Sequence, residues 1–238
     1  MTHRRARKES AAKRSPIRAI ARFLRDNGLS LAMAALFLCS LIGQSIAGFY
    51  AHNDEQREHG QAELGYLEYL GSGDFGESVF ENWESEFLQM GAFILLTVVL
   101  RQKGSAESKD MEGEEEVDED PAKHRKPDSP WPVHRGGLAL KLYSHSLGLA
   151  FLALFLASFV LHGLTGMRAY NEEQLAHGGH VITALQYFGS SRFWFESFQN
   201  WQSEFLAVGA MIVLSIFLRQ RGSPESKPVA APHHATGK

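Results

Sequence analysis

Polar side chains stand at matched positions in or beside four apolar stretches of this 238-residue sequence. Because a polar group is costly to bury in hydrocarbon, each one is a candidate for function. A histidine beside a glutamate in such a place can exchange protons or bind a cation. The alternative is that these groups only hydrogen-bond between helices and fix their packing. The candidate intramembrane cluster comprises Gln44, Asn82, Glu86, His162, Asn200 and Glu204.

Four members of this cluster share one predicted depth. Gln44 and His162 lie fifteen residues from the inner ends of their apolar stretches. Glu86 and Glu204 lie equally far from the inner ends of theirs. At a rise of ~1.5 Å per residue, all four are ~22 Å from the inner boundary, in the outer part of a membrane. The two asparagines lie one turn further out, on the same helix face as the two glutamates.

The motifs of common enzyme and metal sites are absent from the sequence. It has no P-loop, no G-x-S-x-G, no H-E-x-x-H and no dinucleotide-binding fingerprint. His177 and His180 are close together, but no cysteine or regularly spaced carboxylate completes a set of metal ligands. Cys39 is the only cysteine, so no intramolecular disulfide can form. We therefore predict no enzymatic activity, no catalytic residues, no metal site and no cofactor.

The polar positions match because the sequence contains an internal repeat. FENWESEFL at 80–88 recurs as FQNWQSEFL at 198–206, and LRQKGSAESK at 100–109 recurs as LRQRGSPESK at 218–227. Both pairs are offset by 118 positions, and the two copies align without a gap from about residue 28 to residue 109. A repeat of this kind indicates two copies of one structural unit.

Each copy contains two stretches suited to membrane-spanning helices. A helix needs ~20 residues to cross the ~30 Å hydrocarbon core. The run GAFILLTVVL at 91–100 leaves no polar face for water, which argues against soluble helical hairpins. Trp83 and Trp201 are predicted to anchor the second and fourth helices at the interface. The expected fold is an all-α membrane protein with four transmembrane helices, arranged as two tandem parallel-repeat helical hairpins.

Charge predicts how these helices are oriented, because Lys and Arg accumulate on the cytoplasmic side of a membrane. Twenty-one lie in the leader, the central segment 101–141 and the tail, and three lie in the loops 52–82 and 168–202. Both termini and the linker are therefore expected in the cytoplasm. Both loops are expected outside, and the two copies then share one orientation, as in a parallel repeat.

The same observations divide the chain into segments. The linker is expected to be disordered, because its acidic and proline-rich composition cannot bury enough apolar surface. Leu64, Leu67 and Leu70 are spaced three apart in the first outer loop, which predicts a short amphipathic helix there and in its repeat. The predicted segments are a basic cytoplasmic leader (1–27), repeat 1 (28–103; spans about 29–51 and 80–100, outer loop 52–79), a disordered acidic cytoplasmic linker (104–137), repeat 2 (138–221; spans about 146–168 and 198–218, outer loop 169–197) and a flexible cytoplasmic tail (222–238).

The doubled N-W-x-S-E-F-L, followed by L-R-Q-[KR]-G-S-x-E-S-K, resembles an uncharacterised bacterial family of four-span membrane proteins (a domain of unknown function, DUF6766-like). The resemblance covers most of the chain outside the leader, linker and tail. It implies a bacterial inner-membrane location and four spans, and it implies no catalytic residues.

The function predicted from these features is that of a membrane scaffold or accessory protein with structured outer loops. Its partners would be the lipid bilayer and a protein at the outer loops, and a homo-dimer is compatible with the sequence. No nucleic-acid partner is expected, because a basic leader beside a first span is explained by orientation. The alternative is a small permease or an ion- or proton-conducting protein that uses the intramembrane Gln/His/Glu cluster.

Overall fold

The computed structural model describes residues 16–237, and within this range the regular elements are helices without strands. Residues 1–15, which include most of the predicted leader, lie outside the described residues, as does residue 238 at the end of the predicted tail. The helices are α1 (Pro16–Asp26), α2 (Gly28–Glu58), α3 (Tyr66–Leu70), α4 (Gly73–Val99), α5 (Trp131–Arg135), α6 (Gly137–Ser144), α7 (Ser146–Ala176), α8 (Ala184–Phe188) and α9 (Ser191–Phe217).

Helix bounds recur at the repeat offset of the sequence. The helices α2 and α7 each have 31 residues, α3 and α8 each have five, and α4 and α9 each have 27. A serine begins each helix of the last pair: Ser72 accepts a hydrogen bond from the backbone N–H of Phe75, and Ser190 accepts one from Phe193. A serine at this position caps free N–H groups at a helix start. A short helix is therefore present in each of the predicted outer loops, as expected, although its buried residue in the first loop is Tyr69 and not Leu67. The position of the loops outside the membrane stays a prediction.

Three described helices are long and apolar enough to cross a membrane: α2, α7 and α9. The fourth long helix, α4, carries Glu84 and Glu86 within its outer half, so its apolar part is shorter. An all-helical arrangement with three such helices is compatible with a membrane protein, because each helix satisfies its own backbone hydrogen bonds in lipid.

The chain divides into two compact units, residues 1–70 and 71–238. In the first unit, the loop after α2 folds back along the helix. The side-chain amide of Asn53 donates to the backbone carbonyl of Leu64 (3.0 Å) and accepts from its N–H (2.9 Å). The hydroxyls of Ser45 and Tyr66 lie 2.8 Å apart. These bonds hold α3 against the outer part of α2.

The second unit is built on α4, which packs mainly along α7 and also contacts α9. Small residues bring α4 and α7 close together, as is common between membrane helices. A Cβ atom added at Gly73 would lie 2.3 Å from the backbone nitrogen of Ala169, and one at Gly76 would lie 2.5 Å from Thr165 Cγ2. The loop after α7 in this unit has the same clamp as the loop after α2, since Asn171 exchanges two hydrogen bonds with the backbone of Ile182.

Polar side chains occupy the interior of the second unit, while apolar side chains cover its helices. Glu84, His162 and Ser197 are buried, whereas Leu95 and Leu152 are exposed. This distribution is the reverse of a water-soluble protein, in which large exposed apolar surfaces are rare. It suits helices that are surrounded by lipid.

Residues of the predicted linker and tail also contact one another in the second unit. The linker includes a short 3₁₀ turn at Glu116–Asp118 and the helix α5. The buried ammonium group of Lys227 donates to the carbonyl oxygen of Gly104 (2.5 Å) and to those of His233 and Ala235 in the tail (3.0 and 2.8 Å). The disorder of the linker and the flexibility of the tail stay predictions.

Candidate functional site

A group of ionisable side chains is buried in the outer part of the second unit, where α4, α7, α8 and α9 meet. On α4, Glu77, Glu81 and Glu84 follow one another at intervals of four and three residues. This spacing places all three on one face of the helix. The other contributors are His162 on α7, Tyr187 on α8, and Arg192, Glu196, Asn200 and Trp201 on α9.

His162 and Glu84 form the centre of the group, and both side chains are 0% exposed. His162 Nδ1 lies 2.7 Å from Glu84 Oε2. The other oxygen of Glu84 accepts a hydrogen bond from the indole N–H of Trp201 at 2.9 Å. The buried ring of Phe193 lies beside the imidazole, with 4.8 Å between the ring centroids. Because an ionised carboxylate only accepts hydrogen bonds, Nδ1 of His162 carries the proton in this pair.

The second ring nitrogen of His162 faces Glu196. Its Nε2 atom is buried and makes no hydrogen bond, and it lies 3.5 Å from Glu196 Oε2. That distance is too long for a good N–H···O hydrogen bond. The hydrogen-bonding capacity of Nε2, which lies between two helices, is therefore incompletely satisfied.

The hydroxyl of Tyr187 joins the carboxyl groups of Glu77 and Glu196. It lies 2.7 Å from Glu77 Oε1 and 3.0 Å from Glu196 Oε2. A phenol has only one proton to donate. Arg192 provides a further donor, because its guanidinium donates to the other carboxylate oxygen of Glu196 (3.0 Å). Gly166 leaves the necessary room, since a Cβ atom there would lie 2.4 Å from the Tyr187 oxygen.

Charged and polar groups extend the cluster toward the surface. Arg192 donates to Glu196 (3.0 Å) and to the exposed Glu173 (2.7 Å). The amide of Asn200 donates to Glu81. The cluster therefore places four carboxyl groups against one guanidinium and at most one imidazolium, so it contains more acidic than basic groups. A buried charge without compensation is strongly unfavourable.

Glu77 and Tyr187 lie outside the predicted spans, and burial changes their acidity. Burial is the main cause that raises the pKa of Glu77 to about 7, although the Tyr187 hydroxyl opposes the shift. Burial, together with the charge of Glu77, raises the pKa of the Tyr187 phenol. Tyr187 therefore stays a hydrogen-bond donor over the physiological range of pH.

A family model described as "Domain of unknown function (DUF6766)" matches residues 20–238, which is most of the chain. The chain belongs to the DUF6766 family. This membership agrees with the resemblance that the doubled motif indicates. No curated protein and no solved structure matches the chain.

In this DUF6766 protein, the predicted intramembrane cluster is distributed over several environments. His162 is buried, and Asn200 is half-buried and bonded to Glu81. Glu86 and Asn82 lie on an exposed face of α4. Glu204 is half-buried, and its charge interacts with that of Glu86 rather than with His162. Gln44 is exposed and belongs to the first unit.

The predicted tryptophan anchors also differ from one another. Trp201 donates its indole N–H to Glu84 and thereby belongs to the buried group. Trp83 packs edge-on against Phe80 at 5.6 Å, and its place at the membrane interface stays a prediction. The loop residue His177 lies near a backbone carbonyl of its own helix, with Nδ1 2.9 Å from the oxygen of Glu173.

Sequence reasoning missed six residues of the buried group: Glu77, Glu81, Glu84, Tyr187, Arg192 and Glu196. Its candidates were polar residues at positions that match between the apolar stretches of the two copies, whereas five of these six differ from their counterparts, and Tyr187, which matches Tyr69, lies outside those stretches. Glu77 aligns with Phe195, and Glu84 aligns with Gln202. The spacing of the three glutamates on α4 is the signal in this DUF6766 sequence that indicates a shared polar face.

Proposed function

We propose that all four long helices cross the membrane, as two tandem helical hairpins that arose by duplication. The equal lengths of α4 and α9, and their identical offset from α2 and α7, support this arrangement. The inner part of α4, GAFILLTVVL, is as apolar as the matching part of α9. With the bias of Lys and Arg, this gives an inner-membrane protein of bacterial type with both termini in the cytoplasm.

Within this arrangement, the protein acts as a membrane scaffold or accessory protein that presents an ordered outer face. The observation that carries the proposal is the repeated asparagine clamp, Asn53 on Leu64 and Asn171 on Ile182. Each clamp fixes a short helix whose outward leucine is exposed, Leu67 at 81% and Leu185 at 83%. Exposed apolar side chains on a fixed backbone suit a protein interface, because less backbone entropy is lost on binding.

Photo-crosslinking tests this proposal directly. A photoreactive phenylalanine analogue replaces Leu67 or Leu185 in the full chain, and Leu95, an exposed residue in the apolar part of α4, is the control position. We expect discrete protein adducts from the two loop positions and lipid adducts from position 95. Lipid adducts alone at all three positions would contradict the scaffold function and would instead place the loop helices in the outer interface.

A second candidate is a small ion permease, which the buried excess of carboxylates favours because it attracts cations. The rest of the second unit gives it less support. The inner halves of α4, α7 and α9 contain no ionisable residue in the sequence. A cavity of about 340 Å³ beside the inner halves of α4 and α9 has a mainly apolar surface, from side chains such as Phe93, Leu96 and Val208, although Arg101 and Glu107 also line it. Cation flux into proteoliposomes that is lost in His162→Gln would favour the permease.

The scaffold proposal gives the protein no enzymatic activity and no nucleic-acid partner. Its partners are the lipid bilayer and a protein at the outer face, and association of two copies is compatible with it. The buried cluster then has a structural role, in which it ties α4, α7, α8 and α9 together.

A further inference from the structure

The starting observation is the buried Nε2 atom of His162, which has no hydrogen-bond partner. An unsatisfied polar atom in a native interior requires an explanation. Because Nδ1 donates to Glu84, the neutral imidazole has its lone pair on Nε2. This is the tautomer that binds a metal ion through Nε2.

Two carboxylates lie where further ligands would be needed. One ligand atom each from Glu77, His162 and Glu196 can be chosen so that all lie within 4.8 Å of one another. His162 Nε2 and Glu196 Oε2 are 3.5 Å apart. With bonds of about 2.0–2.1 Å, the ligand atoms of a tetrahedral zinc site are about 3.4 Å apart. The histidine and Glu196 already meet this spacing. A ligand oxygen of Glu77 lies within 4.8 Å of both ligand atoms.

The groups behind these three residues have the arrangement that supports metal ligands. A ligating histidine usually donates its other N–H to a carboxylate, which fixes the tautomer and the orientation of the ring. Glu84 fills this role for His162, and Trp201 holds Glu84 in turn. Tyr187 fixes one oxygen each of Glu77 and Glu196. All of these partners are positioned before any ion binds.

We propose that Glu77, His162 and Glu196 form a site for a divalent transition-metal ion, with Zn²⁺ as the best match. One imidazole and two carboxylates suit Zn²⁺, whereas Mg²⁺ and Ca²⁺ prefer oxygen ligands alone. The ion would offset the excess of buried carboxylates. It would enter from the outer side, where Glu196 is 18% exposed beside Arg192. The site is independent of the scaffold function and would hold α4, α7 and α9 together.

The repeat predicts how many ions one chain holds. The positions that match Glu77, His162 and Glu196 in the other copy are Phe195, Gln44 and Ser78. None of these three is a common metal ligand. The expected stoichiometry is therefore one ion per chain.

Zinc binding to the full chain tests the proposal. The protein is purified without a histidine tag, reconstituted in lipid nanodiscs, stripped with a chelator and titrated with Zn²⁺ in a calorimeter. Elemental analysis after dialysis then counts the retained ions. We expect one Zn²⁺ per chain and no measurable binding of Mg²⁺. We expect His162→Gln and Glu196→Gln each to weaken binding at least tenfold, and Glu84→Gln, through loss of orientation, by about 10–100-fold.

The loop residue His177 provides the matched control, because His177→Gln removes an exposed imidazole that lies outside the cluster. That variant should bind zinc like the unaltered chain. Binding that survives both His162→Gln and Glu196→Gln, or that disappears in His177→Gln, overturns the proposal, as does an unaltered chain that retains no zinc. Circular dichroism checks that each variant is folded. If His162→Gln is unfolded, zinc binding by Glu77→Gln and Glu196→Gln decides the test. A chain that binds zinc but crosslinks no partner contradicts only the scaffold function.

Discussion

At the scale of single residues, two glutamates that are two positions apart on α4 have opposite environments. Glu84 is buried and accepts hydrogen bonds from His162 and Trp201, while Glu86 is exposed. Hydrogen bonds to a buried charged group contribute about 1.5–3 kcal/mol each. We expect Glu84→Gln to lower the free energy of unfolding by about that amount. Thermal unfolding of the metal-free protein in nanodiscs measures the difference.

The control for this prediction is Glu86→Gln, which makes the same chemical change at an exposed position two residues after Glu84. Because exposed substitutions usually stay within about 0.5 kcal/mol, we expect this variant to unfold like the unaltered chain. Equal losses in both variants would show that the carboxylates act through general charge and not through the bond to His162.

The sequence identified His162 as a special residue but not its partners. A polar residue within an apolar stretch is visible without a structure, because its cost in hydrocarbon is known. Which glutamate faces it depends on the rotation of α4 about its axis. Two residues correspond to about 200° on a helix, so Glu86 and Glu84 point to nearly opposite sides. The repeat favours Glu86, since Glu204 matches it, whereas Glu84 aligns with Gln202 in the other copy.

At the scale of the helices, the crossing of α4 over α7 depends on glycine. A Cβ atom at Gly73 would lie 2.3 Å from a backbone atom of Ala169, which cannot move aside as a side chain can. We expect Gly73→Ala to lower the free energy of unfolding by about 1–3 kcal/mol, as is usual for overpacking. The loss would also separate Glu77 from Tyr187, so tryptophan fluorescence near the cluster should change with it.

Gly209 on α9 is the matched control, because no atom lies within 4 Å of a Cβ added there. Gly209→Ala should keep or raise stability, by up to about 1 kcal/mol, since alanine is the better helix former. Equal destabilisation by the two substitutions would contradict a close crossing at Gly73.

The sequence predicted the long helices better than their ends. The first span is predicted at about 29–51, and α2 continues to Glu58, because the clamp of Asn53 on Leu64 stabilises the extra turns outside the apolar stretch. The second span is predicted to begin at about residue 80, and α4 begins at Gly73, where Ser72 caps it. Hydropathy locates the apolar part of a helix, whereas caps and tertiary contacts determine where the helix stops.

At the scale of the whole molecule, the number of crossings decides on which side every loop lies. The helices α2, α7 and α9 have the length and composition of spans. The helix whose crossing has to be tested is α4, because it carries Glu84 and Glu86. In the second unit, Glu84 is turned inward against His162, so lipid would not meet its charge. The apolar residues of α4, such as Leu95 and Val98, are exposed as on the other spans. These contacts favour a crossing by α4.

Single cysteines in a Cys39→Ser background test this count with a membrane-impermeant maleimide applied to spheroplasts. Four crossings, with the positive charges inside, leave Glu58→Cys and His177→Cys labelled at once, and Ala122→Cys and Ala230→Cys labelled only after lysis. If α4 did not cross, Ala122→Cys and Ala230→Cys would be labelled at once, and His177→Cys would be protected. All four positions are exposed, so the pattern reports sidedness and not burial. Protection of His177→Cys would therefore be sufficient to contradict the two-hairpin arrangement, whatever the other positions show.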